Sequence, residues 1–269
     1  MSAPQSPTLS GRTAIVTGSV GAGIGRSVAL KLAMAGANVV LNHGTGGRGN
    51  RADDVRAVLD AIADMPGRAV HVMADTRTGE GVAAIIARAT EAFGEPDILV
   101  NNAGAPWMEQ DFADIDEARW QQTLAAEIVG PSLLIKSVLP AMRRKRWGRI
   151  VNITIDRTTL RALLGHAYAN ELERYPFPFA LGKSGRSELT HLLAPIEWRY
   201  GVTINNVLPG VIEDMSLDGA LAAAAGKLQS PLTTPADIAE LVYMLCTDAM
   251  QQVTGSDIVM PGNVFARLR

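Results

Sequence analysis

The chain has 269 residues, 47% of them apolar and 19% charged, with a formal charge of −2. That length suits a single α/β domain with one large core, and the near-neutral charge offers no general attraction to nucleic acid or to an anionic membrane. A small-molecule substrate is the expected partner, with no nucleic acid and no membrane.

The lone Cys246 cannot form an internal disulfide, and its place in the apolar run Leu241 to Cys246 reads as core packing. Residues 1–10 contain Pro4 and Pro7 but neither a basic region nor an apolar core, so they read as a flexible segment rather than a signal peptide. No unbroken run reaches the ~18 apolar residues of a membrane helix. A cytoplasmic location is expected.

From Thr13 onward, strand-length apolar runs alternate with helical periodicity, the pattern of a doubly wound parallel sheet in a single Rossmann-type domain, residues 11–269. Ala14 to Val16 is the first strand, Gly25 to Met34 a helix, Asn38 to Leu41 the second strand and Asp53 to Ala63 a helix. Ala69 to Met73 follows as a strand, then a helix carrying Val82, Ile85, Ile86, Ala89 and Phe93, then the strand Ile98 to Val100. A long helix spans Arg119 to Arg144, followed by a strand from Arg149 to Ile153, a helix from Leu181 to Tyr200 and a strand from Thr203 to Val207. Ile258 to Met260 closes the sheet. Gly44 to Gly49 and Tyr175 to Phe179 read as loops, and the basic run Arg143 to Arg146 reads as a solvated helix end.

Thr17-Gly18-Ser19-Val20-Gly21-Ala22-Gly23-Ile24-Gly25 follows the first strand and opens a helix. Glycines there let the backbone approach a pyrophosphate, and the helix end presents free N–H groups to it. Asn101-Asn102-Ala103-Gly104 follows the fourth strand, Ala74-Asp75 the third, and Asn205 to Gly210 begins within the sixth and runs past its end.

These motifs, in this order, resemble the short-chain dehydrogenase/reductase family, with one extra residue between Gly18 and Gly23. The resemblance implies an NAD(P)-dependent oxidoreductase whose cofactor contacts fall on Gly18, Ser19, Gly23, Ile24, Asp75, Thr76, Asn102, Ala103, Gly104, Lys183, Pro209, Gly210 and Ile212. It also implies a homotetramer or homodimer pairing the helices Arg119–Arg144 and Leu181–Tyr200. Asn42-His43 end the second strand in place of a carboxylate, and Arg48 or Arg51 could hold a 2′-phosphate, which favours NADP over NAD.

The family's catalytic Asn, Ser, Tyr and Lys fall here on Glu127, Ile155, Phe179 and Lys183, so only the lysine remains. The interval between Ile155 and Phe179 is longer than the family's by about eleven residues, an insertion at about 156–178 that contains His166, Tyr168, Glu171, Glu173 and Tyr175. Two readings of it stay open: a lid whose aromatics pack, or a source of replacement chemistry, with Tyr168 at the ordinary Ser-to-Tyr spacing. Lys183, Glu127 and Tyr168 are the candidate catalytic residues, and no metal-ligand cluster stands out. A redox-neutral enzyme on the same fold, performing elimination or hydrolysis, and a silent nucleotide-binding partner subunit are the alternatives.

Overall fold

The computed structural model describes residues 8–44, 51–156, 160, 174–212 and 233–262. Seven strands form one sheet: β1 (Thr13–Val16), β2 (Asn38–His43), β3 (Ala69–Met73), β4 (Ile98–Asn101), β6 (Gly148–Ile153), β8 (Val202–Val211) and β9 (Asp257–Gly262). Their order is β3-β2-β1-β4-β6-β8-β9, and every pairing is parallel. The order reverses between β1 and β4, so a crevice opens beyond their carboxyl ends, where open α/β sheets place ligands.

The strands are apolar on both faces because helices cover both. Ala14, Val16, Val39 and Leu41 share one core with α1 (Ile24–Met34), α2 (Arg51–Ala63) and α7 (Pro235–Cys246). Ile15, Val40 and Leu99, offset by one residue, join the other core with α3 (Gly79–Phe93), α5 (Gly130–Lys145) and Ala194 of α6 (Phe177–Glu197). This is the period of two that alternating side chains impose.

Four local readings change. The helix expected from Arg119 to Arg144 is α4 (Glu117–Leu124) and α5 joined through a π turn, Ala125–Val129. By length and composition Glu117–Lys145 would suit a membrane span, but Leu134, Ile135, Val138 and Met142 pack it into the core. Tyr175 to Phe179 is no loop. Arg174–Tyr175 forms β7, antiparallel to β5 (Gln110–Asp111), and α6 begins at Phe177 with Pro178 in its first turn, where a missing N–H costs nothing.

The basic helix end is occupied rather than simply solvated: Arg143 pairs with Glu197, Arg144 with Glu95, Lys145 with Asp97 at 2.9 Å, and Arg146 donates to the Arg199 carbonyl. Leu9, within the segment expected to be flexible, is buried, and its N–H bonds to the Ala35 carbonyl.

Buried side-chain amides tie α6 to the sheet. Asn101 donates to Asn152 across β4 and β6, Asn152 to Thr190 of α6, and Thr190 to Asn206 of β8, at 2.9, 2.9 and 2.6 Å. Asn206 then donates to the Ser187 carbonyl and to Asp257. Thr190→Val keeps the shape but leaves two buried amides short of a partner, so urea denaturation should show a loss of about 1–3 kcal/mol. An unchanged midpoint would show that the chain of amides does not hold α6.

Candidate functional site

A cavity of about 950 Å³ opens at the carboxyl ends of β1 and β4. Gly18, Gly23, Ile24, Asn102, Ala103 and Gly104 line it, as do Asp75, Thr76 and Ile212. Its glycine loop is held by sequence-encoded close approaches. Gly18 has φ +63°, and a Cβ on it would stand 3.1 Å from the Ala103 Cα. A Cβ on Gly25 would lie 2.4 Å from both the Gly18 carbonyl oxygen and the Asn102 amide. Asn102 uses that amide to bond the carbonyls of Thr17 and Gly18 at 2.9 and 3.0 Å, while the Thr17 hydroxyl accepts from the N–H groups of Asn102 and Ala103. The start of α1 has no side-chain cap from Gly23.

Ser19, Pro209, Gly210, Lys183 and Glu127 are not among the lining residues. Ser19 is fully buried, its hydroxyl accepting from the Asn42 N–H at 3.0 Å, so it braces the loop against β2. Pro209 and Gly210 lie within β8. Tyr168, His166, Glu171 and Glu173 lie outside the described residues.

At one end of the cavity Asp75 is clasped by Arg77, which donates from Nε at 2.9 Å and from Nη2 at 2.6 Å. These hydrogen bonds hold the Asp75 carboxyl below its ordinary range. Sequence reading missed Arg77, although its spacing after a strand-end acid was the available signal. Asn42 is turned inward and donates to the Ala74 carbonyl at 3.1 Å. His43 stacks on His71 with ring centroids 4.8 Å apart and places Nδ1 2.7 Å from the Gly44 carbonyl.

Behind the cavity is a buried charge cluster. Glu127, in the π turn, and Arg186 are wholly buried; Lys183 is nearly so. The Glu127 Oε1 accepts from the Ala105 N–H at 2.7 Å, and Oε2 lies 2.8 Å from Arg186 Nη2 and 3.4 Å from Lys183 Nζ. Space for this carboxylate comes from absent side chains: a Cβ on Gly104 would stand 2.4 Å from Oε1, and one on Gly182 would stand 2.7 Å from the Glu127 Cβ.

Arg186 spends its five N–H donors on five carbonyls, those of Asn101, Ala103, Ala126, Glu127 and Ile153, at 2.7–3.2 Å. Sequence reading missed it as well; the small residues Gly182 and Gly185 on either side of the lysine were the available signal. Lys183 Nζ donates to the Ile153 carbonyl at 3.1 Å and lies 5.4 Å from the ring centroid of Phe179, one helical turn earlier. Burial, only partly offset by Glu127 and reinforced by Arg186, pushes the lysine down to about 8.

An aromatic wall flanks Phe179. Trp107 meets it edge to face at 5.3 Å, and Phe177 touches both Phe112 and Tyr175. Tyr175 is buried, donates its hydroxyl to the Leu160 carbonyl, and has its pKa raised by burial, so it packs rather than serving as a free acid.

A parallel sheet with a glycine-lined crevice at its switch point defines a doubly wound α/β protein of Rossmann type. The family model described as enoyl-(acyl carrier protein) reductase matches residues 19–262. The chain is 31% identical to D-beta-hydroxybutyrate dehydrogenase of Rhizobium meliloti, with 95% of this chain and 99% of that protein covered. It is 33% identical to the (2S)-[(R)-hydroxy(phenyl)methyl]succinyl-CoA dehydrogenase subunit BbsD of Thauera aromatica, covering 93% and 95%. It is 31% identical to the 3-oxoacyl-[acyl-carrier-protein] reductase FabG of Aquifex aeolicus, covering 96% and 98%. The chain belongs to the short-chain dehydrogenase/reductase family of oxidoreductases.

Glu127→Gln keeps the volume but leaves two buried cations without their anion, and breaking a buried pair in this way costs about 3–5 kcal/mol. Denaturation at neutral pH should show that loss. It should narrow above pH 8, because Lys183, whose folded pKa lies below its ordinary 10.5, then sheds its proton in the folded state and one cation disappears. A loss that does not depend on pH would separate Lys183 from the effect.

Proposed function

We propose that this chain is an NAD(P)-dependent oxidoreductase, preferring NADP, that acts on a small-molecule carbonyl or alcohol without the family's tyrosine. It is proposed to work as a cytoplasmic homodimer or homotetramer. The observation that carries the cofactor reading is the glycine cradle at the start of α1. Gly18 and Gly25 leave no room for side chains, and α1 offers uncapped N–H groups and a positive dipole end to a pyrophosphate. The bound nicotinamide would supply the hydride, and the protein's share is alignment and proton management.

In this reading Gly18, Gly23 and Ile24 receive the pyrophosphate, Asp75 and Thr76 the adenine end, and Asn102 to Gly104 with Ile212 the remaining length. Ser19, Pro209 and Gly210 act from behind as support. The preference for NADP rests on the end of β2, where Asn42 and His43 present no carboxylate to repel a 2′-phosphate, and on Arg77 at the same end of the cavity. Arg48 lies outside the described residues, and the side chain of Arg51 does too. For the oligomer, Leu181, Leu192 and Ile196 of α6 are exposed at spacings that bring them to one side of the helix, and Val129 is exposed as well.

Calorimetric titration with NADP and NAD should show binding that Gly23→Asp weakens by at least about tenfold, ~1.4 kcal/mol, because the new carboxylate meets the pyrophosphate. Unchanged affinity in a folded Gly23→Asp variant would remove the basis for this function. By sedimentation the wild type should run as a dimer or tetramer and Leu192→Asp with Ile196→Asp as a smaller species. A monomeric wild type at working concentration would overturn the assembly.

A further inference from the structure

We propose that Arg119 is the specificity-determining residue of this site, and that the substrate it selects is a carbonyl or alcohol that also carries a carboxylate, an oxo acid or its hydroxy acid. The inference rests on the oxidoreductase reading and deepens it. Arg119 stands half-buried in the first turn of α4 and is one of the residues lining the cavity of about 950 Å³. A cation in a helix's first turn meets the positive end of the dipole, so the helix itself gains nothing from an arginine there.

The place of Arg119 in the cavity points to substrate rather than cofactor. Its Nη2 lies 3.4 Å from the Pro106 carbonyl, and the next residue, Trp107, meets Phe179 edge to face at 5.3 Å. Ala105, on the other side of Pro106, is held by Glu127, which also pairs with Lys183. The guanidinium therefore sits toward the Phe179 and Lys183 end, where a carbonyl would be reduced. The other arginines lining the cavity are placed elsewhere: Arg26 belongs to α1, behind the glycine loop, and Arg77 is clasped on Asp75.

The charge of Arg119 is uncommitted. Among the described residues no carboxylate pairs with it. Asp116 uses its side chain to cap α4, accepting from the Arg119 backbone N–H at 2.7 Å, and Glu109 accepts from Trp107 Nε1 at 2.9 Å. The Pro106 contact is longer than an ordinary hydrogen bond, so the five-donor fork stays open to a planar partner with two oxygens, which it fits at two points. Thr123, one turn along the same helix face, lines the cavity too, and its buried hydroxyl has no hydrogen-bond partner among the described residues. An unmet hydroxyl and an unmet cation on one face suit a group rich in acceptors. The surface around them is aromatic: Trp107 and Phe112 are exposed, and Phe112 meets Trp120, next in the chain to Arg119. That surface suits the carbon skeleton behind a carboxylate.

The test reads recognition apart from turnover. Oxidised NADP and acetoacetate form no redox pair, so calorimetric titration of the NADP-loaded protein with acetoacetate measures binding alone. Acetoacetate should bind, and its methyl ester, which keeps the oxo group and loses the charge, should bind at least about tenfold more weakly. Arg119→Met should weaken acetoacetate by a similar factor and leave both the ester and NADP where they were. Arg119→Lys keeps the charge without the fork and should fall between. No binding of acetoacetate by the wild type, or acid and ester bound alike, would overturn the proposal.

Loss of NADP affinity in an Arg119→Met variant that is folded by near-ultraviolet circular dichroism would also overturn it, by giving the arginine to a phosphate of the cofactor. Failure of the wild type to bind either dinucleotide would instead overturn the oxidoreductase reading. Acetoacetate bound by the cofactor-free protein and lost in Arg119→Met would then keep the carboxylate site as a separate result.

Discussion

The rest of the site depends on the burial of one guanidinium. Arg186 sits with no solvent contact among carbonyls drawn from the ends of β4 and β6 and from the π turn. A buried cation is tolerated only when its donors are satisfied and its charge is met. The π turn meets the first requirement by giving up two carbonyls, Ala126 and Glu127, to the arginine, and the second by carrying Glu127. The same turn closes with the Gly130 N–H on the Ala125 carbonyl, and Gly130 is where a Cβ would collide with the Thr76 carbonyl at 2.5 Å. One residue of extra winding therefore sets the distance between the long helix and the loop that ends β3.

Glu127 passes that constraint on to the cavity. Its other oxygen holds the Ala105 N–H, so the segment after Gly104 cannot drift from the buried cluster. Asn102 and Thr17 hold the preceding residues to the glycine loop. The cavity wall between them is thus anchored from both sides, once by neutral hydrogen bonds and once by a charge. Glu127 does not line the cavity, which makes it a brace for the wall more than a group that meets a ligand.

Much of this was legible in the sequence, and what was not has physical reasons. The strands of the parallel sheet announce themselves because both faces are buried, and the glycine loop does so because its glycines stand between a strand and a helix. The π turn is invisible, since apolar residues continue through it at spacings that suit an uninterrupted helix. Arg186 is hidden for a different reason: a lone arginine in a helix is normally solvated, and only the tertiary meeting of three elements supplies five carbonyls. Tyr175 to Phe179 misleads because its two prolines resemble loop punctuation, when Pro176 precedes the helix and Pro178 sits in its first turn. The pairing of Glu127 with Lys183 was legible as a possibility from family position alone, but the surplus of two cations over one carboxylate was not, because the second cation was unseen.

That surplus connects two features that look independent in the sequence. Ile155 and Phe179 carry no hydroxyl, so neither offers a proton, and neither brings a polar group that would solvate a neighbouring ammonium. Desolvation is the largest influence on Lys183, and the Phe179 ring lies over its nitrogen while Ile155 follows two residues after the carbonyl it bonds. In a drier site the fixed charge of Arg186 acts over a lower effective dielectric and repels the lysine more strongly. Glu127 attracts it through the same medium, so the balance turns on which neighbour is closer and better held. The carboxylate approaches Arg186 more closely than Lys183, 2.8 against 3.4 Å, which commits more of its attraction to the arginine and leaves the lysine the less compensated of the two cations.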